Sequence, residues 1–437
     1  MVASADFWLV LAGAAAVFWL LPARFRMAFL AGASAAYVIT GELLKTKNDM
    51  LIRLGGVWLL GFCAIFFLLV PLAARRAKAM AARAAAGRQR MLQAKSESGA
   101  STLVLEYPPA PIPNPYWWVL PALVLAALAY LAAFKYILPN LISRMPTRRE
   151  AILIPLGISY FTFKLIHYAI EVARGNIKDR SPWQFLCWVF LFPTYSAGPI
   201  ERFDHFLASQ DSQLRLEAIA EGLARIIYGL IKKFFIAEML LGAWYTQSAG
   251  ASLLKSGIST PRLWGLAVAS YLWLYMDFSG YCDIAIGAVR LFGIRIMENF
   301  DWPVFSPNIG AFWKRWHMTL AGWCQSYIYM PVLGLTRSTV LALYATFVVI
   351  GLWHVGSLPW LAWGLYNATG LYVFSVWMRF RRQRKWTALD KAPWKFIGVP
   401  ITFLFVSAGE VLTFGCVKSG SDMLRLFARL FFIDVGA

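Results

Sequence analysis

Charge is scarce in this chain. Only 15% of its 437 residues are Asp, Glu, Lys or Arg, against about 25% in soluble domains. Acid is scarcer still, with 22 Asp+Glu against 42 Lys+Arg and a formal net charge of +20. This composition excludes an ordinary water-soluble globule and a disordered chain. There are 4 His and 5 Cys. Cys63, Cys187, Cys282, Cys324 and Cys416 form no CxxC pair and sit in apolar surroundings, so they read as buried free thiols. A disulfide framework or a zinc site has little support. Also missing are a Gly-rich phosphate loop, an HExxH motif and a GxSxG elbow, which leaves no signal for a Ser or Cys nucleophile.

What is abundant is apolar sequence, at 59%. The positive charge lies beside it in clusters. Arg75, Arg76, Lys78, Arg83, Arg88, Arg90 and Lys95 follow one apolar run; Arg379, Arg381, Arg382, Arg384, Lys385, Lys391 and Lys395 follow another. Nucleic-acid binding is one reading of such clusters, but no binding motif accompanies them. Cytoplasmic loops of a membrane protein are the other, by the positive-inside rule. The first apolar stretch, Phe7–Leu21, has its positives after it, at Arg24 and Arg26, rather than before it as a secretory signal would. It is expected to be a membrane helix with its N-terminus extracytoplasmic.

At about 20 residues per span, the chain is expected to be an all-α polytopic membrane protein with about ten to twelve membrane helices. Re-entrant and interfacial pieces are expected as well, since Pro155, Pro193, Pro199 and Pro303 interrupt apolar runs. Three regions are expected. Residues 1–150 hold N-terminal membrane helices with a basic cytoplasmic loop at 73–115. Residues 151–378 form a core, and residues 379–437 a basic loop and C-terminal membrane helices.

The histidines carry the functional signal. His354 lies in Ser338–Met378, which contains no Asp, Glu, Lys or Arg. That run suits two spans, with Gly356, Ser357 and Pro359 breaking them. An ionisable group inside such a hairpin is a functional candidate by default, although a His hydrogen-bonded between helices is the plain alternative. His317, in Phe312-Trp313-Lys314-Arg315-Trp316-His317, is open to a plain reading too: an interfacial amphipathic helix with snorkelling cations. His167 reads as a helix-face residue near an interface, and His205 as a solvated loop residue. Asp277 and Asp283 are either a proton relay or packing groups bonded to backbone or to an Arg such as Arg290 or Arg315.

From Asp277 to Trp363 the chain resembles the membrane-bound O-acyltransferase family. The matching pieces are Asp277-Phe278-Ser279-Gly280-Tyr281, Glu298-Asn299-Phe300, Phe312–His317, Tyr327-Ile328-Tyr329-Met330-Pro331 and Gly351-Leu352-Trp353-His354. Upstream, Ile154–Phe163 and Phe192–Phe203 look similar, so the resemblance covers roughly residues 150–370, about half the chain. It implies a ring of membrane helices around a central tunnel. His354 then matches the catalytic His, acting as general base, and His317 the second His of the bacterial branch. Trp313, Arg315, Trp316, Trp353, Asp277 and Asn299 would line the tunnel. One departure is Val355, where the family often has Gly after the His.

The implied reaction moves an acyl group from a thioester to a hydroxyl of an extracytoplasmic polysaccharide or cell-wall polymer, across a bacterial inner membrane. The donor is expected to be acetyl-CoA, with no permanently bound cofactor and no metal. The polymer would receive the acetyl directly or through a periplasmic SGNH-type acetyltransferase partner. Two alternatives stand. One is D-alanyl transfer from the phosphopantetheine thioester of an acyl carrier protein. The other is a proton-coupled transporter built on Asp277, Asp283 and His354.

Overall fold

The computed structural model describes residues 2–45, 59–72, 118–137, 157–178, 180–211, 213–249, 252–255, 258–386 and 392–433. The basic stretch 73–94, the Pro-rich 107–115 and Lys391 lie outside the described residues. The architecture is helical: among the described residues there is no strand, only an isolated bridge between Gln210 and Ile294. In chain order the helices are α1 (Ala5–Leu20), α2 (Ala23–Lys45), α3 (Leu59–Leu72), α4 (Val119–Ala132), α5 (Ile158–Arg174), α6 (Pro182–Phe190), α7 (Phe203–Ala208) and α8 (Leu216–Leu230). There follow α9 (Gly242–Ala249), α10 (Thr260–Arg290), α11 (Ile309–Trp313), α12 (Met318–Cys324), α13 (Met330–Thr336), α14 (Thr339–His354), α15 (Leu358–Gln383), α16 (Ala392–Val411) and α17 (Gly420–Arg429). One described helix, Val119–Ile137, is long and apolar enough to cross a membrane by itself, and Ala5–Leu20, Leu59–Leu72, Thr339–His354 and Phe396–Val411 are shorter apolar helices.

The helices divide into two units. One comprises Leu21–Tyr195 and Arg202–Ala208, the other Met1–Leu20, Ser196–Glu201 and Ser209–Ala437. In the first, α5 starts and stops on left-handed glycines, Gly157 (φ 75) and Gly175 (φ 80), where any other residue would be strained. His167 on α5 is 2% exposed, and its Nε2 accepts the Phe203 N–H at 3.0 Å. It therefore fixes the start of α7. His205 is half-buried instead of solvated. Lys164, also buried, donates to the Trp188 carbonyl at 2.8 Å and stands over the Trp188 ring.

The second unit is organised around α10. The helix α8 runs antiparallel to it, and Gly222 and Gly229 oppose Gly287 and Gly280. A Cβ on Gly222 would stand 2.8 Å from the Gly287 carbonyl oxygen, and one on Gly280 would stand 2.9 Å from the Gly229 carbonyl oxygen. Small residues are needed because the backbones touch. This close crossing presses cations of α8 and of the 11-residue π-helical continuation Ile231–Leu241 onto the acids of α10. Asp283, 5% exposed, receives Arg225 and Lys232, each at 2.6 Å. Lys233 pairs with Asp277, and Arg225 also with Glu298. Asp283 thus has an Arg partner as expected, but it is Arg225 and not Arg290 or Arg315. Arg290 instead binds Asp211 and Glu221, and Arg315 lies 3.6 Å from Asp301.

The uncharged run forms the expected hairpin. Ser338 caps α14, accepting the Leu341 N–H at 3.2 Å, and Gly356 (φ 71) turns the chain into α15. Gly351 and Gly364 let the arms meet: a Cβ on either would lie 3.1 Å from the carbonyl carbon of Trp360 or Phe347.

Replacing Gly280 by Val should cost about 1–3 kcal/mol through overpacking. It should lower the thermal-unfolding midpoint of the detergent-solubilised protein. Gly334→Ala, where a Cβ has nothing within 4 Å, should leave the midpoint in place.

Candidate active site

The site grows from one buried amide. Asn299 is 0% exposed. Its Oδ1 accepts from His317 Nδ1 at 3.0 Å, from Thr319 Oγ1 at 2.9 Å and from the Thr319 N–H at 3.3 Å. Its Nδ2 donates to Cys282 Sγ on α10 at 3.2 Å, and its carbonyl accepts the Met318 N–H at 2.9 Å. Three donors on one oxygen fix the orientation of the amide. They also explain the backbone of His317, whose φ of 43 is left-handed and costly for a residue with a Cβ. The segment Phe312–Leu320 is consequently not one interfacial helix. α11 ends at Trp313, the chain turns over Lys314–Trp316, and His317 opens α12.

The upstream motif Ser196–Glu201 supports this turn. The Ile200 N–H donates to Thr319 Oγ1 at 3.0 Å, and buried Glu201 accepts the Met297 N–H at 2.7 Å. Ser196 bonds to the hydroxyl of Tyr281. Because His317 donates through Nδ1, its neutral ring presents Nε2 as the unprotonated nitrogen. Phe278 holds that ring edge-on at 4.8 Å.

His354 is the last residue of α14 and sits among tryptophans. Its ring stacks on Trp360 at 4.3 Å and 22°, with Trp353 at 4.7 Å and Trp363 at 5.6 Å. His317 and His354 line the same cavity, of about 150 Å³, within electrostatic reach of one another. Trp313, Trp316, Trp360, Trp363, Asn367 and Glu410 share its walls. The buried Nε1–H of Trp313 has no hydrogen-bond partner among the described residues.

A second cavity, of about 670 Å³, has Asn299 in its wall. Arg225, Lys232, Asp283, Glu298 and Trp302 line it together with that amide. Among the described residues no group of three or more His, Cys, Asp or Glu could hold a metal ion, and all five cysteines are free and buried.

Of the residues singled out from the sequence, the structure brings together His354, His317, Trp313 and Trp316. Asn299 holds His317 from behind, and Trp353 packs on His354 without lining the cavity. Asp277 is engaged by Lys233, and the Arg315 side chain is 40% exposed; neither lines either cavity. Trp360, Trp363, Asn367 and Glu410 were not anticipated. Glu410 did carry a signal, as the one charge in the apolar run Phe396–Cys416.

The profile of the membrane-bound O-acyltransferase family matches residues 116–414. The chain belongs to this family. Among similar family members, the probable alginate O-acetylase of Pseudomonas putida is 33% identical over 285 residues, covering 64% of this chain and 55% of that protein. That of Azotobacter vinelandii is 35% identical over 268 residues, 60% of this chain and 51% of that protein. The teichoic acid D-alanyltransferase of Streptococcus thermophilus is 29% identical over 301 residues, 63% of this chain and 72% of that protein. The chain spans about half the length of the alginate O-acetylases.

Asn299→Ala should orphan the buried donors that converge on its oxygen, at about 1–3 kcal/mol each. The expected result is a clearly lower thermal-unfolding midpoint. An unchanged midpoint would contradict the keystone role of this amide.

Proposed function

We propose that the protein is an O-acyltransferase that moves a short acyl group from a thioester to a hydroxyl inside the two-histidine cavity. The observation that carries this reading is that His317 and His354, distant in sequence, line one small cavity walled largely by aromatic and aliphatic side chains.

A hydroxyl is a weak nucleophile until a base takes its proton, and a neutral His is suited to that. His354 takes the proton as the hydroxyl oxygen attacks the thioester carbon. The C–O bond forms, negative charge gathers on the carbonyl oxygen, and the C–S bond then breaks. The leaving thiolate takes the proton back from His354. The Asn299 bond makes His317 an acceptor toward the cavity, so its Nε2 orients a substrate O–H or N–H. The oxyanion donor is then the indole N–H of Trp313, which has no partner among the described residues. Aromatic walls exclude water that would otherwise hydrolyse the thioester.

The setting is a ring of about ten to twelve helices in a bacterial inner membrane, with the N-terminus extracytoplasmic and the two cavities as halves of one tunnel. Acetyl from acetyl-CoA is the first reading of the acyl group, supported by the 33–35% identity to alginate O-acetylases. The acceptor is a polysaccharide or cell-wall polymer, reached directly or through a periplasmic SGNH-type partner. D-alanyl transfer from a carrier protein is the second reading, supported by the 72% coverage of the Streptococcus thermophilus D-alanyltransferase. A proton-coupled transporter is the weaker account, because Asp277 and Asp283 are both occupied by lysines.

The test is turnover of radiolabelled acetyl-CoA by protein in lipid nanodiscs, run beside a D-alanyl carrier-protein thioester. His354→Ala should lower turnover about 10²–10⁴-fold, and Trp313→Phe about 10²-fold, with both variants still inserted in the membrane. Near wild-type turnover by His354→Ala would end the assignment. Solute flux without thioester turnover would favour the transporter.

A further inference from the structure

Glu410 has no part in the steps above, yet its side chain lines the same cavity as the two histidines. It sits near the end of α16, one residue before Val411. Its backbone carbonyl accepts Thr413 Oγ1 at 3.1 Å, but that bond does not involve the carboxyl. No described Lys or Arg pairs with the carboxyl, and none lines the cavity. The ionisable groups facing it from neighbouring elements are His354 of α14, His317 at the start of α12, Tyr271 of α10 and Tyr245 of α9. Tyr366 of α15 is committed to the Phe405 carbonyl at 2.8 Å, and Asp422, Arg425 and Arg429 of α17 form no ion pair with it. The acids of α10, Asp277 and Asp283, both have cation partners, which Glu410 does not have among the described residues.

A carboxylate enclosed by apolar walls is poorly stabilised unless a positive charge accompanies it. The proposed reaction creates such a charge for the lifetime of the tetrahedral intermediate, when His354 holds the hydroxyl proton. We infer that Glu410 is the electrostatic counter-group of that imidazolium, a positioning residue that stabilises the charged form of the base across the cavity. The inference rests on the acyl-transfer reading. The proton itself still passes from the acceptor hydroxyl to His354 and on to the leaving thiolate, so Glu410 neither gains nor loses one. An attraction that appears only when the base is charged favours the transition state over the bound substrates and therefore acts on kcat.

Because the carboxylate favours the imidazolium, its removal makes His354 easier to deprotonate. In Glu410→Gln, kcat for acetyl-CoA turnover in nanodiscs should fall about 10–100-fold, with KM for acetyl-CoA unchanged. The acid limb of the kcat/KM–pH profile should move to lower pH by about one unit. Glu410→Asp keeps the charge and should keep the limb at its wild-type position.

A Gln variant with wild-type kcat and acid limb would overturn the inference. So would equal losses of kcat in the Gln and Asp variants with no movement of the limb, which is what a purely structural role gives. A loss confined to the D-alanyl thioester, with acetyl turnover intact, would also overturn it and make Glu410 a reader of charge on the substrate. Loss of turnover in His354→Ala together with an unaffected Glu410→Gln would sink this inference alone. Absence of thioester turnover in the wild type would sink it along with the reading beneath it.

Discussion

The side-chain oxygen of Asn299 collects three hydrogen bonds in the core of the larger unit, and the candidate site follows from that convergence. One bond fixes the ring of His317 and its tautomer. The other two tie down Thr319, whose hydroxyl in turn anchors the Ser196–Glu201 segment at Ile200. The left-handed backbone at His317 is tolerated because these bonds and the Phe278 ring over-determine it. The same amide forms part of the wall of the large charged cavity. A single residue therefore sets the orientation of one histidine and contributes to the wall of the large cavity.

Behind this lies a close helix crossing that concentrates charge where little charge exists. The glycines of α8 and α10 bring two backbones into contact, and acids of α10 meet cations there at hydrogen-bond distance. Paired and hydrogen-bonded, these groups are tolerated in an apolar setting where isolated ones would not be. The small cavity has the opposite character. It is walled by indoles, holds two imidazoles and one carboxyl, and no Lys or Arg lines it. Such a low-dielectric pocket strengthens each polar contact made within it.

Much of this could be read from the sequence because scarcity is informative. Ser338–Met378 is free of charge, so its hairpin and the placement of His354 near the turn followed from composition and from Gly356 and Pro359. The helical class followed from long apolar runs, and the family from ordered motifs. The left-handed turn at His317 was hidden, because no local propensity favours that conformation for His and its cause, Asn299, is a tertiary contact. The particular partners of Asp277 and Asp283 were hidden for a similar reason: an Arg was expected and Arg225 does bind Asp283, but Lys232 and Lys233 reach the two acids from a π-helical stretch whose phase no periodic pattern reveals. Glu410 was visible as a lone acid in an apolar helix, but its proximity to the histidines depends on the packing of α16 against α10 and α15.

The central claim is that the two-histidine cavity transfers an acyl group through His354. Its most direct test is mass spectrometry of the surface polymer from cells carrying the wild-type protein or its His354→Ala variant at matched membrane levels. An ester-linked acyl group that is present with the wild type and missing with the variant is the predicted result, and its mass identifies the group. The same ester at the same abundance in both would contradict the account.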